Sequence, residues 1–393
     1  RSVSYIFPSK KELEDYLLSG ERLKIYLGAD ATGPELHLGH ATSIIFLEKL
    51  RRLGHEVIFL FGDFTALIGD PSGKDATRRR LSEEEVEKNI QGWKAQVQKI
   101  LKLDDKENPA KILKNSAWLA GLTLKEMIEM ASTMTVQQML ERDMFEKRAQ
   151  ERKPIYLHEF LYPLMQGYDS VAMNVTAEVG GNDQLFNMLV GRDLQKRYNN
   201  TEKFVIATVL LEDPRTGKKL MNKSEGSYIA MSDAPNDMYG KAMALPDEVV
   251  IQVLTDCTFA PMEEVRARAD ALAEGANPRD IKMKLAYELV KTYHNENAAV
   301  EAEEFFVSTF QKNETPEDVE EITAHGGDFL GKVLVEKGIV GSNNEFRRLV
   351  EGGGVSNMDA QEKIDDHTYL LEKDATFKIG KKKFVRIKLE SRK

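Results

Sequence analysis

The segment from residue 25 to residue 40 constrains the fold of this chain more than any other. Residues 25–27 are apolar and predict a short buried strand that ends at Gly28, and the turn at residues 32–34 leads into a helix over residues 38–53. A second continuous apolar run, residues 57–61, predicts a buried parallel strand. Strand, helix and strand within about 40 residues make a right-handed βαβ unit. The sequence therefore predicts an α/β fold whose ligand binds beyond the carboxyl ends of the strands.

Two histidines, His37 and His40, stand three residues apart at the start of the predicted helix, so both project from one face of its first turn. The helix N-terminus carries partial positive charge, which suits phosphate, and imidazoles there can donate hydrogen bonds to phosphate oxygens. A metal pair or two solvated histidines would show the same spacing. Zinc is disfavoured because no Cys, Asp or Glu lies nearby at ligand spacing.

Composition limits the remaining possibilities. A chain of 393 residues with 41% apolar and 30% charged residues is typical of a soluble protein with two or three domains. No apolar run approaches the roughly 20 residues that cross a bilayer. The single Cys257 excludes an internal disulfide and is expected to be a small core residue, and the start without Met or an apolar leader predicts a trimmed, cytoplasmic protein. The net charge of −9 means that any RNA contact must be a local basic patch.

The phrase His37-Leu-Gly39-His40, preceded by Gly28-x-Asp30, resembles the "HIGH" motif of class I aminoacyl-tRNA synthetases, and the longer segment resembles the bacterial tyrosyl-tRNA synthetases. This resemblance implies a Rossmann-like parallel-sheet catalytic domain, a homodimer, and three substrates: L-tyrosine, ATP with Mg²⁺, and tRNA-Tyr. It implies no resident metal and no tightly bound cofactor. The residues that it implies for ATP are Gly28, Asp30, Thr32, His37, Gly39, His40, Gly181, Asp183 and Lys223.

A stripe of polar residues, Tyr162, Gln166 and Asp169, falls at i, i+4 and i+7 of one predicted helix. An amphipathic helix with a wet face would look the same, but the flanking residues are apolar and a buried polar stripe needs partners. The stripe resembles the family's "Tyr-x-x-x-Gln-x-x-Asp" tyrosine pocket. The resemblance assigns Tyr162, Gln166 and Asp70 (from the phrase "IGDPSG", otherwise only a turn) to the ammonium group. It assigns Asp169 and Tyr26 to the phenol.

The phrase Gly180-Gly181-Asn182-Asp183-Gln184 follows an apolar alternation at residues 171–175, which predicts a strand, and precedes a predicted helix over residues 185–194. A lone Gly-Gly-x-Asp is a weak signal. It resembles the family's "GG-x-DQ" phrase, which implies that Asp183 holds a ribose hydroxyl and that Gln184 polarises the carboxyl side of the substrate.

A basic segment, residues 218–224, resembles the mobile "KMSKS" loop, in which lysines stabilise the departing pyrophosphate. Lys223 and Ser224 match its last two positions, whereas Leu220 replaces its first Lys. Either Lys219 reaches the phosphates from one position upstream, or activation depends more on Lys223.

The resemblance and the patterning together divide the chain into residues 1–230 (catalytic, with a helical insertion at about 115–180 through which subunits pair), 231–322 (helical, anticodon side) and 323–393. Helices are predicted at residues 11–18, from a capping box at Ser82 and Glu85, and over residues 119–139, whose methionines suit core or dimer packing. The basic run 78–80 and the residues Arg266, Arg279 and Lys282 are either RNA contacts or solvated surface.

Residues 323–393 resemble the RNA-binding module named after ribosomal protein S-four, with helices at 328–338 and 342–351 and strands at 376–379 and 383–389. Apolar and basic residues alternate over residues 385–389, which predicts a cationic strand face. The resemblance implies RNA contacts at Arg347, Arg348, Lys381, Lys382 and Lys383.

The whole pattern predicts a tyrosine–tRNA ligase in which His37, His40, Lys223, Ser224 and Gln184 serve catalysis. The rivals are a tryptophanyl or other class I synthetase, a small-molecule nucleotidyltransferase with a similar His-x-x-His helix, and a non-catalytic RNA-binding relative.

Overall fold

The computed structural model describes residues 2–70, 81–217, 219–221, 228–311, 319–360, 362–380 and 383–390, leaving aside the side chains of residues 143, 310 and 311. The chain divides into two compact units, Arg1–Ala299 and Val300–Lys393. The predicted boundary at 322/323 lies inside the second unit, and the division into three functional domains stays a prediction.

The first unit is built on a six-stranded sheet, which confirms the predicted α/β class. Its strands lie in the order β1-β6-β5-β2-β3-β4, and all neighbours are parallel except β1, which pairs antiparallel with β6. The strands are β1 (Val3–Phe7), β2 (Lys24–Ala29), β3 (Glu56–Phe61), β4 (Lys111–Lys114), β5 (Ala177–Gly181) and β6 (Phe204–Thr208).

The strand order reverses between β2 and β5. The chain runs from β2 outward through β3 and β4, then returns to place β5 on the other side of β2. In an open parallel sheet such a reversal leaves a crevice at the carboxyl ends of the two central strands. The crevice here opens after Ala29 and Gly181, next to the two phrases that the sequence singled out.

Helices cover the sheet and fill the carboxyl-terminal part of the first unit. Their bounds are α1 (Lys10–Leu18), α2 (Leu38–Arg52), α3 (Asp63–Ile68), α4 (Glu83–Val97), α5 (Ser116–Leu119), α6 (Leu124–Ala131), α7 (Val136–Leu140), α8 (Asp143–Gln150), α9 (Leu157–Met173), α10 (Leu185–Asn199), α11 (Pro235–Met243), α12 (Val250–Cys257), α13 (Met262–Ala273) and α14 (Pro278–Tyr293). The next helix, α15 (Glu296–Phe306), begins in the first unit and ends in the second. Short 3₁₀ turns lie at Asn182–Gln184 and Asp247–Val249, and a π turn lies at Val307–Gln311.

One predicted element is wrong and another is divided. The strand predicted at residues 171–175 is instead the end of α9 and the turn after it, because α9 continues to Met173 and stops at Asn174, whose φ of 46° is left-handed. The strand that precedes Asp183 is β5, and it contains both glycines. The helical segment predicted over residues 119–139 is divided between α5, α6 and α7, because Thr123 and Thr135 each form a capping box that starts a new helix.

The apolar interior agrees with two smaller predictions. Cys257 is fully buried as a free thiol. Met130 and Met139 are buried, and Met127 and Met134 pack partly buried against neighbouring clusters, so these methionines do belong to the core of the insertion. In the described residues, no helix combines the length and apolar character needed to cross a membrane.

The second unit is a separate α+β structure with its own core. Its sheet has the order β7-β11-β10-β8-β9, in which β7 and β11 are parallel. The elements are β7 (Glu320–His325), α16 (Leu330–Glu336), α17 (Asn343–Glu351), β8 (Val355–Asn357), β9 (Glu362–Lys363), β10 (Ala375–Ile379) and β11 (Lys383–Glu390). Its core includes Leu330, Leu334, Phe346, Phe377 and Ile387.

The cationic face predicted for β11 is partly neutralised. Val385 and Ile387 are buried, as the alternation predicts, but Glu321 on β7 accepts from both basic residues on the other face. Its carboxylate lies 3.4 Å from Arg386 and 2.7 Å from Lys388. Glu321 on β7 therefore balances part of the positive charge of β11.

Candidate active site

A cleft of about 340 Å³ opens at the point where the strand order reverses, and most of the predicted site residues line it. These residues are Gly28, Asp30, Thr32, His37, Gly39, His40, Asp70, Tyr162, Gln166, Asp169, Gly181, Asp183 and Gln184. Segments that are far apart in sequence thus converge on one cavity. Lys223 and Ser224, and likewise Lys381 and Lys382 of the second unit, lie outside the described residues.

Tyr26 differs from the other predicted residues because it has no exposed surface. Its ring lies against Gly28, where an added Cβ would be 3.6 Å from Tyr26 Cε2. Its hydroxyl is hydrogen-bonded with Ser170 Oγ at 2.9 Å. Burial and the nearby carboxylates of Glu178 and Asp169 raise the pKa of Tyr26. Tyr26 therefore forms the layer directly beneath the cleft.

The two histidines cap α2 with their Nδ1 atoms. His37 Nδ1 accepts from the Gly39 N–H at 3.1 Å, and His40 Nδ1 accepts from the His37 N–H at 3.2 Å. A neutral imidazole that accepts at Nδ1 carries its proton on Nε2, so Nε2 is the donor of each ring. Burial lowers the pKa of His40 to about 4, so this ring is neutral at pH 7.

Gly39 is needed by His37. A Cβ on Gly39 would lie 3.0 Å from two atoms of the His37 ring, so the glycine leaves room for the ring to fold over the first turn. The metal alternative gains no support, since both Nδ1 atoms are engaged. In the described parts of the chain, no three His, Cys, Asp or Glu side chains are grouped as metal ligands would be.

The Asp30 carboxylate lies against Gly62, and there is room for it because a glycine has no Cβ. Its Oδ1 accepts from Thr65 Oγ1 at 2.7 Å and its Oδ2 accepts from Tyr162 Oη at 2.8 Å. Burial raises the pKa of Asp30 from 3.8 to about 7, with the Asp70 carboxylate adding to the rise and the two hydrogen bonds opposing it. The cleft thus holds a carboxyl group that ionises near neutral pH.

One end of the cleft has Asp70 at its centre. Gln184 Nε2 donates to Asp70 Oδ2 at 2.8 Å, and the Arg142 guanidinium lies 3.9 Å from Asp70 Oδ1. Asn187 Nδ2 donates both to Gln184 Oε1 and to Gln166 Oε1, at 3.0 and 2.9 Å. Sequence reasoning missed Asn187 and Arg142. Asn187 could have been suspected, because it lies one turn after Gln184 at the start of the same helix.

The other end has Asp169 at its centre. Asp169 is buried and accepts from Trp118 Nε1 at 2.7 Å and from Asn115 Nδ2 at 3.3 Å. Burial raises the pKa of Asp169, and these two hydrogen bonds oppose the rise. The sequence analysis missed both donors. Asn115 directly follows β4, so the rule that ligands gather at the carboxyl ends of strands would have pointed to it.

Two further observations concern the basic segment. Leu220 is 8% exposed and lines the cleft, and its N–H donates to the Leu211 carbonyl. Lys219 lines the cleft, and its Nζ lies 3.0 Å from Asp183 Oδ2.

Comparison with protein families gives a match to one family model, described as "tRNA synthetases class I (W and Y)", over residues 18–311. Two curated relatives are named tyrosine–tRNA ligase. The one from Haemophilus influenzae is 43% identical and the one from Mannheimia succiniciproducens is 42% identical; the alignments cover 97% and 96% of this chain and 94% of each relative.

Among solved structures, the chain resembles a C-terminally truncated mitochondrial tyrosyl-tRNA synthetase from Coccidioides posadasii. The TM-score is 0.63 at 25% identity, over 77% of this chain and 88% of that one. The matched family also includes enzymes named for tryptophan, whereas both of these curated relatives are named for tyrosine.

We expect Asp30→Asn to stabilise the protein at alkaline pH. Between the ordinary pKa of 3.8 and the folded-state value of about 7, the folded state holds a proton that the unfolded state has released. The free energy of unfolding therefore falls as pH rises through that window, and an asparagine, which stays neutral, avoids the loss. Scanning calorimetry should show Asp30→Asn gaining roughly 2 °C or more in Tm over wild type at about pH 8, and less at about pH 4.5. The same change at the exposed Asp193 on α10 is the control. Equal gains at the two pH values would contradict the assignment.

Proposed function

The chain belongs to the class I tRNA synthetases of the tryptophan and tyrosine family, and from that premise we propose that it is a tyrosine–tRNA ligase. One observation carries the proposal: the polar stripe of α9 shares a single cleft with the imidazoles at the start of α2. Groups suited to an amino acid and groups suited to phosphate thus face the same cavity.

The first reaction joins tyrosine to AMP. A carboxylate oxygen of tyrosine attacks the α-phosphorus of ATP, a P–O bond forms, and the bond to pyrophosphate breaks. The carboxylate is already ionised, so the step needs no protein base, and catalysis consists of positioning and electrostatic stabilisation. His37 and His40 donate from Nε2 to the phosphate oxygens, and Lys223 and Ser224 act on the departing pyrophosphate. Mg²⁺ enters with ATP as part of the substrate.

The second reaction transfers the tyrosyl group. A hydroxyl of the 3′-terminal ribose of tRNA-Tyr attacks the carbonyl carbon of the adenylate, and AMP leaves. Asp183 holds the ribose of the nucleotide and Gln184 lies beside the carboxyl group. Gly28, Thr32, Gly39 and Gly181, together with Asp30, line the cleft, and we assign the nucleotide to them. An enzyme that acts on tRNA in bacteria works in the cytoplasm, where we locate this chain.

Lys219 supplies the cation that the loop lacks at Leu220. Leu220 and Lys219 both line the cleft, but the leucine side chain is apolar and offers a phosphate no charge, whereas the Lys219 ammonium group pairs with Asp183. This ion pair is more than half exposed on the lysine side, so exchanging Asp183 for a phosphate group costs little.

Tyrosine is recognised at both ends. Asp70, Tyr162 and Gln166 surround its ammonium group, and Asp169 with Tyr26 hydrogen-bonds its phenol. A phenol both donates and accepts a hydrogen bond, and phenylalanine does neither. Because Tyr26 has no exposed surface, the substrate phenol can reach the Tyr26 hydroxyl only if the residues at the bottom of the cleft move. Tryptophan, the main rival, offers an N–H donor but no acceptor to this pair.

Pyrophosphate exchange with each amino acid in turn tests the proposal. We expect exchange that depends on tyrosine, and we expect Asp169→Ala to reduce kcat/KM for tyrosine by roughly 10- to 100-fold while kcat/KM for phenylalanine and KM for ATP change little. The reason is that the variant removes a partner of the phenol, at a cost of about 1–3 kcal/mol.

Glu159→Ala is the matched control, since Glu159 lies on the same helix but pairs with Arg148. It should leave the tyrosine-to-phenylalanine ratio unchanged. Exchange that depends on tryptophan, or an unchanged ratio in Asp169→Ala, would exclude the pocket as assigned.

The helical insertion binds a second copy of the chain. Large apolar side chains are exposed there, with Leu124 at 76%, Ile128 at 60% and Leu157 at 78%. Leu124 and Ile128 are four residues apart on α6 and therefore share a face. Leu124 also borders an apolar cavity of about 250 Å³ next to α9. Exposed apolar surface of this kind marks an interaction site, and the family resemblance assigns it to a homodimer.

We expect wild type to be a dimer by light scattering coupled to size exclusion, and Leu124→Asp/Ile128→Asp to be a monomer, because two carboxylates cannot be buried in an apolar interface. Leu53 lies outside the insertion and is about equally exposed, at 75%. The variant Leu53→Asp should therefore remain a dimer. A monomeric wild type, or a dimeric double variant, would rule out this interface.

The second unit is the proposed contact for the body of the tRNA. Arg347 and Arg348 are adjacent and exposed on α17, and Lys383 begins β11. Arg347 is held by an ion pair with Glu351 that is 60% exposed on each side, so phosphate can replace the carboxylate at little cost.

Arg347→Ala/Arg348→Ala should weaken tRNA-Tyr binding and lower the slope of log affinity against log salt by about 1 for each phosphate that the variant no longer neutralises. Filter binding over a range of salt concentrations measures both quantities, and pyrophosphate exchange should be unchanged. Lys332→Ala removes an exposed lysine on the neighbouring helix α16 and serves as the control. An unchanged slope would remove these arginines from the RNA site.

A further inference from the structure

We propose that the buried ion pair Lys203–Glu178 is a specificity device, which orients the Tyr26 hydroxyl through Ser170 so that Tyr26 donates to the substrate phenol. The proposal rests on the proposed tyrosine activity and adds three positioning residues to it. Lys203 directly precedes β6, Glu178 lies on the neighbouring strand β5, and Ser170 comes from α9.

The three side chains are enclosed and in direct contact. The side chains of Lys203 and Glu178 are 0% and 3% exposed, and they form an ion pair. Lys203 Nζ also donates to Ser170 Oγ at 2.5 Å, and Ser170 Oγ is 2.9 Å from Tyr26 Oη. A Cβ on Gly191 would lie 2.6 Å from Lys203 Nζ, so the glycine makes room for the ammonium group. The arrangement is a built polar site in the interior.

The chemistry of the ammonium group fixes the direction of these hydrogen bonds. A lysine ammonium has three donors and no acceptor, so Ser170 must accept from it. The Ser170 hydrogen then has two possible acceptors, Tyr26 Oη at 2.9 Å and Glu178 Oε2 at 3.4 Å, and the nearer one is Tyr26. With its oxygen already accepting, Tyr26 has its own hydrogen to donate, and the Glu178 carboxylate, whose hydrogen bond adds to the rise that burial causes in the pKa of Tyr26, competes with the substrate phenol for it. The phenol then accepts from Tyr26 and donates to Asp169.

The same ion pair also reaches the ammonium end of the cleft. Gln166 Nε2 donates to Glu178 Oε1 at 3.2 Å, which turns its carbonyl oxygen toward Asn187. Glu178 therefore fixes which end of the Gln166 amide faces the donor. Both ends of the substrate pocket are oriented from one pair of charges.

A role in stability alone would not favour this arrangement. Burial lowers the pKa of Lys203, which the Glu178 carboxylate counteracts, and a buried ion pair is often no more stable than apolar residues of the same size. What apolar residues cannot supply is a fixed donor direction.

Ser170→Ala tests the proposal most directly, since alanine is a good helix former and leaves the ion pair in place. We expect the ratio of kcat/KM for tyrosine to that for phenylalanine, measured by pyrophosphate exchange, to fall about tenfold, with KM for ATP unchanged. Tyr26→Phe should lower the ratio by at least as much, and the double variant should be no worse than Tyr26→Phe, because Ser170 acts through Tyr26.

Two further variants exclude a general loss of structure. Tyr293→Phe removes a buried hydroxyl that donates to the Cys257 carbonyl away from the cleft, and it should keep the wild-type ratio. Lys203→Met/Glu178→Gln should lower the ratio as Ser170→Ala does while remaining folded by circular dichroism.

The outcomes separate this inference from the activity it rests on. If Tyr26→Phe lowers the ratio but Ser170→Ala does not, or if the two effects multiply, the ion pair does not orient Tyr26 and the pocket assignment stands. If Tyr26→Phe leaves the ratio unchanged, both the phenol contact and its positioning fail. Without tyrosine-dependent exchange in wild type, the proposed activity itself is wrong.

Discussion

The parallel pairing of β2 with β5 is the constraint on which the rest of the first unit depends. It sets Ile25 opposite Ala177, Tyr26 opposite Glu178 and Leu27 opposite Val179. Because the chain leaves β2 toward β3 and β4 and returns to place β5 on the other side of β2, the strand order reverses here and a crevice opens between the two strands. A shift of one residue in this register would turn Tyr26 to the other face of the sheet and separate it from Glu178 and Ser170. One register therefore sets both the position of the cleft and the layer beneath it.

A continuous series of hydrogen bonds follows from that register. It runs from Asp70 through Gln184 and Asn187 to Gln166, and then through Glu178 and Lys203 to Ser170 and Tyr26. In a low-dielectric interior, a polar group without a partner is costly, and each bond in such a series strengthens its neighbours. The two ends of the cleft therefore cannot be altered independently. In a site with this connectivity, a substitution at a residue that does not touch the ligand can change the groups that do.

The sequence predicted the parts of the fold that depend on local pattern. Continuous apolar runs located β2 and β3, and the i, i+4, i+7 stripe located α9 with Tyr162 and Asp169 on one face. The strand predicted at residues 171–175 was wrong because apolar residues happen to alternate across the end of α9, which only the left-handed Asn174 reveals. β1 was missed because it is an edge strand with mixed exposure that is held by pairing with β6, some 200 residues away. Long-range pairing of this kind leaves no local signal.

The sequence did not predict the buried charged residues of the site, because it does not show which residue pairs with each charge. Lys203 follows a polar turn and would be taken for a surface residue, yet its ammonium group is fully buried against Glu178. The reverse holds on β11, where an alternation of basic residues suggests a bare cationic face and Glu321 balances two of them. A charged residue in a sequence indicates that a partner is needed and does not say where the partner lies. Where the partner lies in the interior, the charge costs stability, and the fixed orientation that it imposes on Ser170 and Tyr26 is the physical gain that accounts for keeping it.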